Sequence, residues 1–417
     1  MLIDKTCPTG RDIIVHVLPI LAAQYVMGVL VQLRNTALLR IALLPIVPWL
    51  AWRAFSLFDF SCGDHEKAQG NSLFASHLAT MCMRTSIWAM VQEPYVRDNI
   101  SKDGSTSVPM AFWNAWDLLL SSRGIGWNWS RGIPVTRPSN EIKSKTQFLI
   151  YAAPRVVLYG LAFDAFTEAI RSFSPNFSSW RGDTIFDPSL PVISRYLRAL
   201  EISYLTVWMA YFAMQWGYCS LAMLLVSIFR QHPSQWPPLF DKPWLSTSLS
   251  ELWGQRWHQM LRFIFASCGG IPFAYLFGRS GGILGTFLMS GIFHVIEFRA
   301  VGRGGSVMAV GGFFVINGVG VLLERAWSQK VSPGRRVRGI WGWIWTFSWM
   351  ALWGIPLIDQ WARAGRFAAD TLPGGFRPTM VLLSLVLPQG VDKGVVLKCL
   401  CFGTSLPFLV YSLFTLS

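Results

Sequence analysis

Long apolar stretches alternate with short polar ones along most of the 417 residues. A helix needs about 20 mainly apolar residues to cross the hydrocarbon core of a bilayer. The strongest candidates are 12–33, 36–55, 147–170, 201–229, 281–298, 307–323, 339–358 and 396–416. Weaker candidates are 74–92, 262–278 and 378–389. The pattern therefore predicts an all-α, polytopic transmembrane bundle of roughly eight to ten spans.

The polar stretches between these spans do not indicate a separate soluble domain. The longest of them, 93–146, cannot cross a bilayer, and its aromatic and basic residues are typical of helices that lie at the membrane interface. We therefore expect one membrane-embedded domain over 1–417. The first apolar run is long enough to span, so we expect it to be kept as a membrane anchor.

Composition supports a membrane protein, because 52% of the residues are hydrophobic and only 14% are charged. A soluble domain usually carries about 25% charged residues. The net charge of +14 has three interpretations that stay open: orientation by basic cytoplasmic loops, attraction to anionic lipid, and a polyanionic substrate such as coenzyme A. Without a basic soluble domain, nucleic acid is not an expected partner. The basic loop 324–339 is expected to be cytoplasmic.

The seven cysteines are scattered and odd in number. This argues against a disulfide framework and against a zinc site, and we expect small buried thiols instead.

The segment "STSLSE" before Glu251 predicts the start of a helix. If that helix continues through "LWGQRWHQMLR", Trp253 and Trp257 share one face, and His258 and Arg262 share another.

His294 lies inside the apolar segment "SGIFHVIEF". Ionisable groups in membrane spans often line a cavity or a pathway, which favours a functional role. The alternative is a neutral imidazole that bonds to Ser290 or to a backbone carbonyl, and both interpretations stay open. Glu297 and Arg299 are expected to form an interfacial pair. The small residues before His294 indicate close helix packing or room for a substrate.

Four motifs follow one another along the chain: "RGIGWNW" at 123–129, "LWGQRWH" at 252–258, "SGIFH" at 290–294 and "FFVINGVGVLLE" at 313–324. Together they resemble the membrane-bound O-acyltransferases, and more narrowly their wax-synthase-like branch, over roughly 110 to 325. The similar fungal members are acetyltransferases of secondary metabolism.

The resemblance implies an acyl-CoA-dependent O-acyltransferase of the endoplasmic reticulum. Acetyl-CoA, or another acyl-CoA, would be the co-substrate, and the acceptor would be a hydrophobic alcohol such as a terpenoid or meroterpenoid. The chain would have no permanently bound cofactor and no metal. Alternatives are a wax-ester-type long-chain acyltransferase and a transporter, although no internal repeat supports the latter.

For the site, the resemblance implies His294 and His258 as catalytic residues. A buried neutral His294 would accept the proton of the alcohol, whereas the role of His258 stays open. Arg256 and Arg262 could contact the phosphates of coenzyme A. The alternative for both arginines is that a long cationic side chain reaches the interface.

Overall fold

The computed structural model describes residues 5–98, 106–121, 123–131, 144–229, 231–301, 305–331, 337–370, 372 and 375–416. The longer helices in this part of the chain, in order, are α1 (Gly10–Leu30), α2 (Ala37–Leu57), α3 (Gln69–Met90), α4 (Val108–Leu120), α5 (Lys145–Arg171), α6 (Val192–Ser227), α7 (Arg262–Ala300), α8 (Val307–Lys330), α9 (Gly339–Arg363), α10 (Pro378–Val386) and α11 (Lys393–Leu416).

Six of these helices, α1, α2, α5, α6, α7 and α8, are long and apolar enough to cross a membrane. Within the described ranges no strand ladder forms, and isolated bridges join only Thr6 to Phe58 and Arg97 to Trp127. The predicted all-α polytopic bundle is therefore confirmed, and the protein is a multi-pass membrane protein.

The chain divides into two compact units. The first comprises 1–135 and 259–302, and the second comprises 136–258 and 303–417. The expectation of one acyltransferase domain over 1–417 is not tested by this division and stays a prediction.

In the first unit, α1, α2 and α3 enclose an apolar core. Ile20, Val47 and Ala54 are fully buried there. The side chain of Thr85 donates a hydrogen bond of 2.7 Å to Gln24 inside the helix cluster, because a buried polar group needs a partner where water is excluded. The shorter helix α4 has 13 residues, too few to cross a bilayer, as expected for the stretch 93–146. Residues 99–105, 122 and 132–143 of that stretch lie outside the described part.

A disulfide joins Cys7 to Cys62, so the expectation of free buried thiols is wrong for these two cysteines. The backbone explains the pairing. Thr6 donates to the carbonyl of Leu57 at 2.9 Å, and Asp59 donates to the carbonyl of Thr6 at 2.9 Å. These bonds place the segment before α1 beside the segment after α2, although the two cysteines are 55 residues apart. The spacing of the cysteines in the sequence does not reveal this backbone pairing.

The other five cysteines are free thiols, and all of them except Cys399 are at least partly buried.

Helix α7 is a hairpin of two arms rather than one continuous helix. The backbone leaves helical geometry at Phe277 and Gly278, and Gly278 has a φ of +66°, which favours glycine. The arms approach so closely that a Cβ on Gly269 would lie 2.1 Å from the carbonyl oxygen of Gly285. The interpretation of the small residues before His294 as a close-packing surface is thus supported for Gly285.

In the second unit, α5 and α6 pack side by side along an aromatic-rich core. Buried ionic groups in this unit are paired: Arg171 binds Glu168 at 2.5 Å. Asp359 accepts bonds from the Thr184 hydroxyl and the Ile185 amide, at 2.7 and 3.0 Å. Such pairing offsets the cost of removing charge from water.

Candidate functional site

His294 lies near the carboxyl end of the second arm of α7, and its side chain is 25% exposed. Its Nδ1 atom is 3.1 Å from a carboxylate oxygen of Glu297. The expectation that Glu297 only pairs with Arg299 at the interface missed this partner. Residues three apart on a helix are neighbours, so the sequence spacing was the signal that could have found the pair.

A second helix holds the same carboxylate. Ser72, which is fully buried in the first turn of α3, donates from its hydroxyl to Glu297. The hydroxyl lies 3.1 Å from the main-chain carbonyl oxygen and 3.2 Å from Oε1. The Glu297 side chain is 20% exposed. The imidazole, the carboxylate and the hydroxyl therefore form a chain of contacts across two helices.

Aromatic rings fix the backbone beside His294. The ring of Phe293 is perpendicular to the imidazole, with centroids 5.4 Å apart. Phe293 also packs against Phe265 of the first arm, with centroids 5.5 Å apart. These apolar ring contacts therefore hold the helical turn with His294 against the first arm of the hairpin.

Arg262 begins the first arm of α7, and its side chain is exposed. Its Nη1 atom donates to the side-chain oxygen of Gln259 at 3.2 Å. In the hairpin Gly269 meets Gly285 and Phe273 meets Gly281. This antiparallel register puts the start of the first arm level with the end of the second arm, where His294 lies.

His258 and Arg256 belong to the second unit, whereas His294 and Arg262 belong to the first. The predicted helix start is confirmed, because the side chain of Ser248 accepts a bond of 3.0 Å from the amide of Glu251. A turn at Leu249–Glu251 continues into a π-helical turn at Leu252–Arg256.

The continuous helix expected through "LWGQRWHQMLR" is wrong. Trp257 adopts φ −73° and ψ 156°, an extended conformation, and the next helix begins only at Arg262. A shared helical face for His258 and Arg262 therefore does not exist. The shared helical face of Trp253 and Trp257 is also absent, although their rings contact each other with centroids 6.2 Å apart.

Helix α8 binds the segment that carries His258. Glu324, which is 7% exposed, accepts bonds from the amides of Leu249 and Ser250 at 2.5 and 2.9 Å. It also accepts from the indole of Trp345 at 2.9 Å. The first amides of a helix have no partner within it, and a carboxylate satisfies them and complements their positive end. Sequence analysis missed this role, although Glu324 ends one of the quoted motifs.

The ring of His258 is partly buried and lies beside two aromatic rings. The ring of Phe240 is perpendicular to it at 6.0 Å, and the ring of Trp257 is tilted at 5.7 Å. The neighbouring Trp253 donates from its indole to Asn317 at 3.1 Å, which adds a second connection to α8.

Arg256 has structural partners in the same segment. Its Nε atom is 2.7 Å from a carboxylate oxygen of Glu251, and its Nη1 atom donates to the carbonyl of Asp241 at 3.1 Å. Burial acts to raise the pKa of Glu251, but hydrogen bonds from Thr247 and the charge of Arg256 outweigh it, so the pKa lies below its usual value. The carboxylate of Glu251 thus stays ionised beside Arg256 at neutral pH.

Residues of the motif "RGIGWNW" bind and pack against neighbouring segments of the first unit. The side-chain amide of Asn128 donates to the carbonyl of Pro94 and accepts from the amide of Val96, both at 3.0 Å. The indole of Trp127 donates to Asp117 on α4 at 2.9 Å. The ring of Trp129 packs at 4.6 Å on Phe263, so this motif contacts the hairpin that carries His294.

Comparison with known proteins adds to this geometry. A sequence model of the membrane bound O-acyl transferase family matches residues 236–316, which include both His258 and His294. Over these residues the chain is similar to that family. The acetyltransferase atnC of Arthrinium sp. is 23% identical over 346 residues, which cover 73% of this chain and 78% of that protein.

Two further proteins are similar to this chain over shorter matches. The acetyltransferase spyB of Aspergillus fumigatus is 28% identical over 56% of this chain and 46% of that protein. A probable long-chain-alcohol O-fatty-acyltransferase of Arabidopsis thaliana is 38% identical over 118 residues, 24% of this chain and 34% of that protein. The chain thus spans most of the first relative, about half of the second and about a third of the third.

Proposed function

We propose that this protein transfers an acyl group, in the first place acetyl, from acyl-CoA to a hydroxyl of a hydrophobic alcohol such as a terpenoid or meroterpenoid in fungal secondary metabolism. The main observation behind the proposal is that the imidazole of His294 contacts the Glu297 carboxylate on an apolar transmembrane hairpin. The fungal relatives named acetyltransferases support the short acyl donor.

In the proposed reaction His294 is the general base. A hydroxyl is a poor nucleophile at neutral pH, so the imidazole accepts its proton while the alcohol oxygen attacks the thioester carbonyl carbon. The C–O bond forms, the C–S bond breaks, and the imidazolium returns the proton to the departing thiolate. The products are an ester and free coenzyme A. Positioned base catalysis is typically worth about 10²–10⁴ in rate, and orientation of the two substrates supplies much of the rest.

The other candidate residues have supporting parts in this proposal. His258 polarises the thioester carbonyl or holds the thioester. Arg262 and Arg256 are the proposed contacts to the phosphates of coenzyme A, since guanidinium pairs with phosphate in fork geometry. Arg262 is favoured because two nitrogens of Arg256 already bind Glu251 and Asp241.

We place this reaction in the membrane of the endoplasmic reticulum. A hydrophobic alcohol partitions into the bilayer, so a site on a transmembrane hairpin can receive it directly from the lipid phase. The bilayer and the acyl-CoA pool are the expected partners.

A second candidate is long-chain transfer of the wax-ester type. The observation that favours it is the 38% identity over 118 residues to a plant protein named as a long-chain-alcohol O-fatty-acyltransferase. The two candidates share the same base and the same bond changes, and they differ in acyl length and in the acceptor.

The test uses microsomes that contain the full chain. Labelled acetyl-CoA or palmitoyl-CoA is supplied with a hydroxylated terpenoid or with hexadecanol, and labelled ester is measured. We expect ester from acetyl-CoA and the terpenoid. Ester only from palmitoyl-CoA and hexadecanol would favour the wax-ester type. No ester from any pair would contradict acyl transfer and leave a transporter as the better hypothesis.

A further inference from the structure

We propose that Glu297, held by Ser72, is a positioning residue that orients the His294 ring and keeps a proton on Nδ1; this rests on the proposed acyl transfer. The family motif around His294 is "SGIFH", and Glu297 lies beyond it. Glu297 therefore adds a functional residue that the sequence resemblance did not assign.

The geometry supports this role through three groups on two helices. Nδ1 of His294 lies 3.1 Å from Oε2 of Glu297, within hydrogen-bond distance. Oε1 of the same carboxylate lies 3.2 Å from the Ser72 hydroxyl, which shares its single proton with the main-chain oxygen of Glu297 at 3.1 Å. The two carboxylate oxygens thus have separate partners, and the fully buried Ser72 restrains the rotation of the carboxylate.

The chemistry follows from the tautomer. A carboxylate accepts hydrogen bonds, so Glu297 favours the form of the imidazole with its proton on Nδ1. In that form the basic lone pair is on Nε2, the atom that would receive the alcohol proton. Once that proton arrives, the imidazolium lies beside a negative charge, which stabilises it. The Asp of the Ser-His-Asp triad acts on its histidine in the same way.

A competing role is structural, since the bonds between Ser72 and Glu297 also join α3 to α7. The two roles differ in kinetics. A clamp between helices affects the amount of folded protein or the binding of substrates. A positioning residue affects kcat of the folded enzyme while KM stays nearly constant.

The experiment compares Glu297→Gln, Glu297→Asp and Ser72→Ala in the full chain. Glu201→Gln is the matched control, because it makes the same chemical change on α6, in the second unit. Folded protein is quantified by size-exclusion chromatography in detergent. Next kcat and KM for the donor and the acceptor are measured with the substrate pair that the wild type uses.

We expect Glu297→Gln to lower kcat by roughly 10- to 100-fold, part of the ~10²–10⁴ that a positioned base supplies, with both KM values within about twofold of wild type. Ser72→Ala should lower kcat by a smaller factor. Glu297→Asp, which keeps the charge on a shorter side chain, should recover part of the loss. The control should match the wild type.

Two other results would overturn the inference. One is an unchanged kcat per folded molecule in Glu297→Gln. The other is a rise in KM that accounts for the whole defect. If Glu297→Gln does not fold, Glu297→Asp and Ser72→Ala decide by the same criteria. A wild type without ester formation from any donor would instead overturn the proposed function, and this inference with it.

Discussion

The two histidines of the candidate site have contrasting surroundings. His294 lies on a regular helical arm and contacts a carboxylate, which suits an imidazole that gains and loses a proton. His258 follows a π-helical turn and lies beside the rings of Phe240 and Trp257. Polar groups of α8 bind other residues of its segment: Glu324 caps the turn, and Asn317 accepts from the indole of Trp253.

With the proposed roles, the two motifs need their supports for different reasons. A base needs a defined tautomer and a partner for its positive charge. A residue that only holds a substrate group needs a fixed backbone and a shaped, apolar surrounding. The following experiments test that division of roles, beginning with the largest expected effect.

His294→Ala should lower kcat by about 10²–10⁴, because it removes the proposed base. His77→Ala is the matched control, since His77 is exposed on α3 and its Nδ1 atom lies 2.7 Å from the carbonyl oxygen of Leu73. The measurement is ester formation per folded molecule in microsomes. Equal activity in the two variants would remove His294 from the mechanism.

Glu324→Ala should destabilise the second unit by about 3 kcal/mol, because two backbone amides and an indole lose their acceptor at a buried position. The thermal unfolding midpoint in detergent checks this. Glu201→Ala serves as the comparison on α6. An unchanged midpoint in Glu324→Ala would mean that the segment with His258 does not depend on α8.

Gly269→Ala should destabilise the hairpin of the first unit by about 1–3 kcal/mol, since a Cβ would meet the carbonyl oxygen of Gly285 at 2.1 Å. At Gly217 on α6 a Cβ would have no heavy atom within 4 Å, and Gly217→Ala should be neutral or stabilising by up to about 1 kcal/mol. Both are measured by thermal unfolding. A hairpin that tolerates the first change would refute the close approach of its arms.

His258→Ala should lower kcat by roughly 10-fold, less than the loss in His294→Ala, because it removes one polar contact and not the base. His258→Gln should retain more activity than His258→Phe if a hydrogen bond is what counts. Steady-state kinetics with both substrates distinguish the variants. A loss as large as that of His294→Ala would show that the two histidines act as one unit.

Acid should loosen the segment around Arg256, with the smallest effect of this series. The folded pKa of Glu251 lies below its unfolded value, so the carboxylate stabilises the fold above the unfolded pKa, and this stabilisation is lost as the pH falls through the folded pKa. The unfolding midpoint of Glu251→Gln should therefore depend less on pH below about 5 than that of the wild type. Identical slopes would contradict the role of the ion pair.

Much of the architecture was predictable from sequence. Continuous apolar runs identified the helices that can cross a bilayer, and "STSLSE" identified the start of the turn before His258. These features depend on local composition and on capping, which short windows of sequence contain. The family resemblance placed His258 and His294 within the segment that the family model matches.

Other features depended on contacts that local patterns do not contain. The turn at Trp257 ended a helix that the sequence favoured, and the Cys7–Cys62 bond required backbone pairing between distant segments.

The sequence by itself determined that this chain is helical and embedded in lipid, because apolar side chains must cover any backbone that crosses a bilayer. It also determined the order of the motifs with their histidines. Only the tertiary structure decided which partner each motif has. Ser72 is 225 residues from Glu297, and Glu324 is 75 residues from Leu249. Such pairs form because buried polar groups must find partners wherever packing brings them together.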